Sequence, residues 1–139
     1  MRNIVLDTNC LLNCLARKSK HHIVWTAFLN EYFRLCVSNE IMNEYEEILA
    51  KKISAKFTDM IIHVILNSEN VVFVHPAFRF NLITTDPDDN KFVDCAIVSN
   101  ADYIVSQDKH FNVLKKTNFP KIDVIRIEEF AKELNNEIR

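Results

Sequence analysis

Residues 86–108 read DPDDNKFVDCAIVSNADYIVSQD, which predicts a helix to about Asn100 followed by a short strand. The opening Asp-Pro-Asp-Asp is typical of a helix start, because proline suits the first turn and acids favour the positive end of the helix dipole. The apolar run Tyr103 to Val105 is typical of a strand covered on both faces. A helix that returns into a buried strand is the repeating unit of a parallel sheet.

The flanking sequence continues this alternation in both directions. Short apolar runs predict further strands at Ile4 to Leu6, Leu35 to Val37, Val71 to Val74 and Ile122 to Ile125. Periodic or capped stretches predict helices at Leu11 to Ala16, Ile23 to Phe33, Ser38 (as N-cap) to Lys52, Ala55 to Leu66, Lys109 to Lys115 and Glu128 to Ile138. We therefore expect residues 1–139 to form a single domain of the three-layer α/β/α class, with a mostly parallel sheet of about five strands.

Composition disfavours several other classes of protein. The chain has 139 residues, of which 48% are hydrophobic and 26% charged, as in an ordinary globular domain. It contains no glycine, which excludes the glycine-rich phosphate loops of P-loop and dinucleotide-binding proteins. No apolar run reaches the roughly 20 residues that span a bilayer, and no signal sequence precedes the first strand. The four cysteines lack zinc-ligand spacing. We expect a cytoplasmic protein with buried cysteines and no membrane partner.

Carboxylates are expected to meet at one edge of this sheet. Asp7 follows the first strand and Asp108 follows the fourth, so both lie at the carboxyl ends, where parallel sheets bind ligands. A helix from Asp89 to Asn100 descends about 17 Å at 1.5 Å per residue, and the next strand climbs back roughly 16 Å. Asp89 therefore returns to the same edge as Asp108.

Helix phase selects among the neighbouring acids. At about 100° per residue, Asp89 points toward the buried face of its helix, whereas Asp88 and Asp94 point well away. On the helix after Ser38, Glu44 lies at the margin of the buried stripe. Asp88 remains an alternative to Asp89, because the two are adjacent. Each acid also has a structural alternative, as a helix cap, a dipole partner or a solvated helix residue.

Four converging carboxylates need a positive charge, because they otherwise repel one another and raise each other's pKa. Hard oxygen ligands of this kind suit Mg²⁺ or Mn²⁺. One or two such ions could activate water and stabilise charge on a scissile phosphate. The residues predict a metal centre in which Asp7 and Asp89 bind directly, Asp108 completes the set, and Glu44 binds through water or orients the attacking water.

At these residues the sequence resembles the PIN-domain family, and particularly its PIN_3-type branch of VapC-like toxin components. The matching stretches are Asp7-Thr8-Asn9, Ser38 through Leu49 with Glu44, and DPDDNKF joined to ADYIVSQD, so that the resemblance covers nearly the whole chain. It implies a Mg²⁺- or Mn²⁺-dependent endoribonuclease that cuts single-stranded RNA. It also implies an antitoxin partner and a homodimer, since members are often the toxins of toxin–antitoxin pairs.

The resemblance also assigns residues to roles. The family's acidic positions carry over as catalytic residues to Asp7, Glu44, Asp89 and Asp108. Supporting hydrogen bonds are expected from Thr8, Asn9 and Ser106. Independently of the resemblance, candidate substrate contacts are Lys51, Lys52, Lys109 and His110, and for the lysines the alternative is a solvated helix face. Relatives commonly place glycine where this chain has Asn100, and asparagine tolerates the positive φ that glycine provides.

Two alternative functions remain open. The chain could be a PIN-like module that no longer cuts and instead holds RNA or a partner protein, or a nuclease that prefers DNA or structured RNA. A phospho-acceptor receiver domain is disfavoured because Asp7 stands alone after the first strand. A haloacid-type phosphatase is disfavoured because position 9 is asparagine. Cleavage that disappears with a chelator or with substitution of the acids would separate the nuclease from the binding module.

Overall fold

The computed structural model describes residues 1–116 and 120–138 of the chain. Within this part, the strands are β1 (Asn3–Leu6), β2 (Arg34–Val37), β3 (Val71–Phe73), β4 (Tyr103–Val105) and β5 (Val124–Ile125). The α-helices are α1 (Thr8–Leu15), α2 (His22–Leu29), α3 (Asn39–Lys52), α4 (Ala55–Leu66), α5 (Asn90–Ser99) and α6 (Ile127–Ile138). Two 3-10 helices among these residues span Pro87–Asp89 and Lys109–Lys116. One or two helices thus separate each pair of consecutive strands.

The strands form one parallel sheet in the order β3-β2-β1-β4-β5. In the central strand β1, Ile4 pairs with Leu35 of β2 on one side and with Tyr103 of β4 on the other. The chain winds outward from β1 to β3 and then crosses back to β4 and β5, so the winding reverses beside β1. Such a reversal leaves a crevice at the carboxyl ends of the strands. The predicted five-stranded parallel sheet is confirmed.

The central strand is covered on both faces. Ile4, Val5 and Leu6 are 0%, 0% and 2% exposed. Because successive strand residues point to opposite faces, helices must cover both sides of the sheet. Helix α5 packs against β1, β2 and β4, and α2 packs against α1 and α6. The predicted three-layer α/β/α architecture is confirmed.

Several element bounds differ from the prediction. Helix α1 begins at Thr8 rather than Leu11, directly after Asp7, which is the N-cap residue and keeps an extended backbone with φ −60° and ψ 147°. Helix α2 ends at Leu29 rather than Phe33, because Glu31 adopts a φ of 62°, which is incompatible with a right-handed helix. Strand β5 has only two residues instead of four.

An asparagine closes helix α5 where glycine would be expected. Asn100 lies in the left-handed region, with φ 54° and ψ 47°, and its N–H donates to the carbonyl groups of Ala96 and Ile97. Asparagine tolerates this conformation better than most residues other than glycine. The chain can therefore turn sharply from α5 into β4 although the sequence has no glycine.

The segment before Pro87 folds over α5. The Asn90 amide accepts a hydrogen bond from Ile83 N (2.9 Å) and donates one to Ile83 O (2.8 Å). The Asp94 carboxylate accepts from Phe80 N (3.1 Å) and the residue is only 2% exposed. Helix phase turns Asp94 away from the sheet-facing side of α5, and the residue is nevertheless buried, because the loop before Pro87 covers it.

The cysteines behave as core residues. Cys10, Cys14, Cys36 and Cys95 are all buried and free, as the sequence predicted. Burial raises the pKa of each of these thiols. Among the described residues, the helices are too short or too polar to cross a bilayer.

Candidate active site

Three carboxylates converge on the imidazole of His110 beyond the end of β4. His110 Nδ1 lies 3.2 Å from Asp89 Oδ2, 3.2 Å from Asp108 Oδ1 and 3.5 Å from Asp86 Oδ2. Ligand atoms of Asp86, Asp89 and His110 lie within 4.8 Å of one another. Asp89 and Asp108 are therefore neighbours at one edge of the sheet, where the lengths of α5 and β4 lead them.

Asp7 joins this group through Ser106. The Ser106 hydroxyl donates to Asp7 Oδ2 (2.8 Å) and accepts from the backbone N–H of Asp108 (3.0 Å). Although Asp7 is the N-cap residue of α1, its side chain makes no capping hydrogen bond. Its carboxylate is therefore not used to cap the start of the helix, and the residue is 6% exposed beside the other acids.

The acids of the helix start lie at different depths. The side chain of Asp89 is 14% exposed, whereas that of Asp88 is 87% exposed. Asp86, with 42% exposure, caps the 3-10 helix by accepting from Asp88 N (3.3 Å) and also faces His110. The structure thus turns Asp89 inward and Asp88 outward, and it adds Asp86 to the centre.

Glu44 has two partners of its own. The Thr8 hydroxyl donates to Glu44 Oε2, and Lys91 Nζ lies 2.7 Å from Glu44 Oε1. The side chains of Lys91 and Glu44 are 13% and 23% exposed, so the ion pair is partly removed from water. Glu44 is therefore oriented by Thr8 and Lys91 rather than by the acids around His110.

Burial and mutual repulsion shift the proton affinities of this group. Burial raises the pKa of Asp89 to about 6, while the hydrogen bond from His110 opposes the shift and Asp108 adds to it. Burial also raises the pKa of Asp7, against the hydrogen bond from Ser106. The hydrogen bond to Asp89 raises the pKa of His110. Such shifts are typical of acids gathered for a task other than internal ion pairing.

The donor atoms fit a hard divalent cation. Asp7, Asp86, Asp89 and Asp108 offer carboxylate oxygens, the ligands that Mg²⁺ and Mn²⁺ prefer. A protonated His110 would offset only one of these negative charges. An excess of negative charge therefore remains, which a divalent ion would neutralise better than the protein itself does.

The other predicted residues lie at varying distances from this centre. Lys109 borders a groove beside Asp108. Asn9 is exposed on the first turn of α1. Lys51, which pairs with Glu47 (3.1 Å), and Lys52 are in the last turn of α3. At 1.5 Å per residue they lie roughly 10–12 Å beyond Glu44 along that helix.

Sequence reasoning missed three residues near the site. Asp86 stands directly before Pro87 as the N-cap of the 3-10 helix, so the recognisable helix start was an available signal for a carboxylate at this edge. Lys91 pairs with a residue on α3, and the Tyr45 hydroxyl donates to Leu6 O (2.6 Å). These two contacts join separate elements, so no spacing within one element could reveal them.

Two comparisons bear on the family. A family model described as PIN domain matches residues 3–110. No curated protein matches the sequence.

Several solved structures share the fold at low sequence identity. VapBC2 from Rickettsia felis, bound to a DNA fragment from its promoter, is 13% identical with a TM-score of 0.62, covering 89% of this chain and 98% of that chain. DNA-bound VapBC from Salmonella typhimurium is 18% identical with a TM-score of 0.61, covering 91% and 99%. VapC20 from Mycobacterium tuberculosis, a sarcin–ricin loop cleaving toxin, is 13% identical with a TM-score of 0.57, covering 78% and 92%.

Proposed function

This chain belongs to the PIN-domain family, and we propose that residues 1–139 form a single nuclease domain that cuts single-stranded RNA with the help of a divalent metal. The observation that carries the proposal is the convergence of Asp86, Asp89 and Asp108 on one atom of His110. Members of the family are generally nucleases that use divalent metals, and this chain retains a cluster of acids suited to them.

Each acid has a proposed role in this reaction. Asp7, Asp89 and Asp108 hold Mg²⁺ or Mn²⁺, and Asp86 borders the same centre. When bound, the ion lowers the pKa of water and offsets charge on the scissile phosphate. Ser106 positions the carboxylate of Asp7 and the backbone of Asp108 together, since its hydroxyl bonds to both.

Glu44 is proposed to orient the attacking water, directly or through a metal-bound water. Thr8 and Lys91 engage both of its carboxylate oxygens. Its orientation is thus set before the substrate binds, which reduces the reorganisation needed during the reaction.

We further propose that the chain is the toxin of a toxin–antitoxin pair and forms a homodimer. Support comes from the fold that it shares with the toxin VapC20 and with DNA-bound VapBC assemblies. Growth arrest on expression in a bacterial host, absent for Asp7→Asn, would support the toxin role. Light scattering of the purified chain, alone and with its co-expressed antitoxin, would test the dimer and the partner.

The central test is cleavage of labelled single-stranded RNA with Mg²⁺ or Mn²⁺. We expect cleavage by the wild type that a chelator, Asp7→Asn and Asp89→Asn each abolish. Asp88→Asn is the matched control, because it makes the same change one residue away on an 87% exposed side chain, and it should retain activity. Equal loss in Asp88→Asn and Asp89→Asn would contradict the assigned site. DNA and structured RNA of the same sequence test the substrate preference.

A further inference from the structure

Two hollows lie beside the acidic centre, along the β5 edge of the sheet. A hollow of about 90 Å³ beside Asp108 is lined on one side by Lys109 and Lys115. A second hollow of about 400 Å³ has Lys121 in its wall. Because Lys115, Val124 and Ile125 line both hollows, the two lie side by side, and we refer to them together as the β5 groove.

The wall of the β5 groove follows from the geometry of the 3-10 helix Lys109–Lys116. With three residues per turn, Lys109, Asn112 and Lys115 lie above one another on a single face. All three line the hollow beside Asp108. At about 2 Å rise per residue, Lys109 and Lys115 stand roughly 12 Å apart along the helix. The sequence therefore produces a row of donors that begins directly after Asp108.

The charge of the groove is opposite to that of the acidic centre. Its walls carry Lys109, Lys115, Lys121 and Arg126, against the two acids Asp108 and Asp123. The three lysines are exposed, and none forms an ion pair with any residue of 1–116 or 120–138. Arg126 lies 3.6 Å from Glu128. The lysines are thus available to an external polyanion.

We propose that the β5 groove binds the phosphate backbone of single-stranded RNA on one side of the scissile phosphate, with Lys109, Lys115 and Lys121 contacting the phosphates. The inference deepens the proposed function and rests on it for the choice of RNA. Its physical basis is that a site built of carboxylates repels a polyanion, so the affinity for the chain must come from adjacent cations.

The test measures binding without cleavage. A fluorescent single-stranded RNA is titrated with the chain in EDTA, and the anisotropy is recorded over a series of salt concentrations. For single strands, the slope of log K against log salt is about −0.7 per phosphate contact. We expect each of Lys109→Gln, Lys115→Gln and Lys121→Gln to reduce the slope by about 0.7, and the triple variant by about 2.

Lys56→Gln is the matched control, because Lys56 is also an exposed lysine but lies on α4. That helix packs against α3, away from the β5 side of the sheet. It should leave both slope and affinity unchanged. The inference is wrong if the wild type does not bind the RNA at low salt, or if Lys56→Gln reduces the slope as much as the groove variants do. It is also wrong if polyglutamate binds as tightly as the RNA and with the same dependence on the three lysines. Expected slopes without cleavage in Mg²⁺ or Mn²⁺ would overturn the nuclease proposal and leave the groove assignment standing.

Discussion

Removing one hydroxyl group should loosen the strand end that carries Asp7. The Tyr45 ring is fully buried on α3, and its hydroxyl donates to Leu6 O at 2.6 Å. Leu6 is the last residue of β1 and directly precedes Asp7. The variant Tyr45→Phe keeps the ring and its packing but leaves this carbonyl without the hydroxyl donor.

The magnitude follows from the burial of the hydrogen bond. A buried polar group that loses its partner costs about 1–3 kcal/mol, so we expect the free energy of unfolding to fall by about 2 kcal/mol. For a chain of this size, that corresponds to a decrease in Tm of roughly 5–10 °C. Urea denaturation followed by fluorescence is a suitable assay, because the chain has a single tryptophan, Trp25, which is 8% exposed.

Tyr103→Phe is the matched control. The Tyr103 hydroxyl lies 3.4 Å from Glu133 Oε1 at a partly exposed position, so its removal should change stability by no more than about 0.5 kcal/mol. A free energy of unfolding for Tyr45→Phe that lies within about 0.5 kcal/mol of the wild-type value would refute this prediction, since that is roughly the error of such comparisons. It is also refuted if both variants lose the same amount.

Three further perturbations test other parts of the molecule. Because Asn100 has a φ of 54°, Asn100→Gly should stabilise by up to about 1 kcal/mol and Asn100→Ala should destabilise by about 1 kcal/mol in urea denaturation. Lys91→Gln should cost about 1–2 kcal/mol and reduce cleavage, since it removes the partly buried partner of Glu44, whereas Lys91→Arg should restore part of both. Burial raises the pKa of Asp94 above its usual 3.8. The folded state therefore binds the Asp94 proton more tightly than the unfolded state does, and the free energy of unfolding falls as the pH rises above about 4. In denaturation from about pH 4 to about pH 7, the stability of Asp94→Asn relative to wild type should therefore rise.

Each of these predictions has a contradicting outcome. Equal stability of Asn100→Gly and Asn100→Ala would show that the backbone at the end of α5 relaxes. A Lys91→Gln variant as stable and active as Lys91→Arg would show that Glu44 needs no ion pair. A difference between Asp94→Asn and wild type that does not change with pH would show that Asp94 keeps its usual pKa.

The fold was predictable because it depends on local patterns. Short apolar runs separated by helical periodicity fixed the strands β1, β2 and β4, and the order of elements then favoured a parallel sheet. The bounds of α2 were less predictable, since Glu31 takes a positive φ that nothing in its local sequence requires. Asparagine at position 100 was a recognisable signal for the same conformation.

The candidate site was predictable only where the lengths and order of the elements along the chain determine it. Strand ends and helix lengths brought Asp7, Asp89 and Asp108 to one edge. Contacts between elements were beyond such reasoning. The burial of Asp94 depends on a loop folding over α5, and the orientation of Glu44 depends on Lys91 from another helix.

The four buried cysteines can report local and global unfolding of the native chain. A thiol reacts with alkylating reagents as the thiolate, and burial raises the pKa of Cys14 to about 12. Cys10, Cys36 and Cys95 are likewise buried, on α1, β2 and α5. Labelling of the native chain therefore requires a local or global unfolding event, and the order in which the cysteines are modified would rank the layers of the fold by their opening free energies.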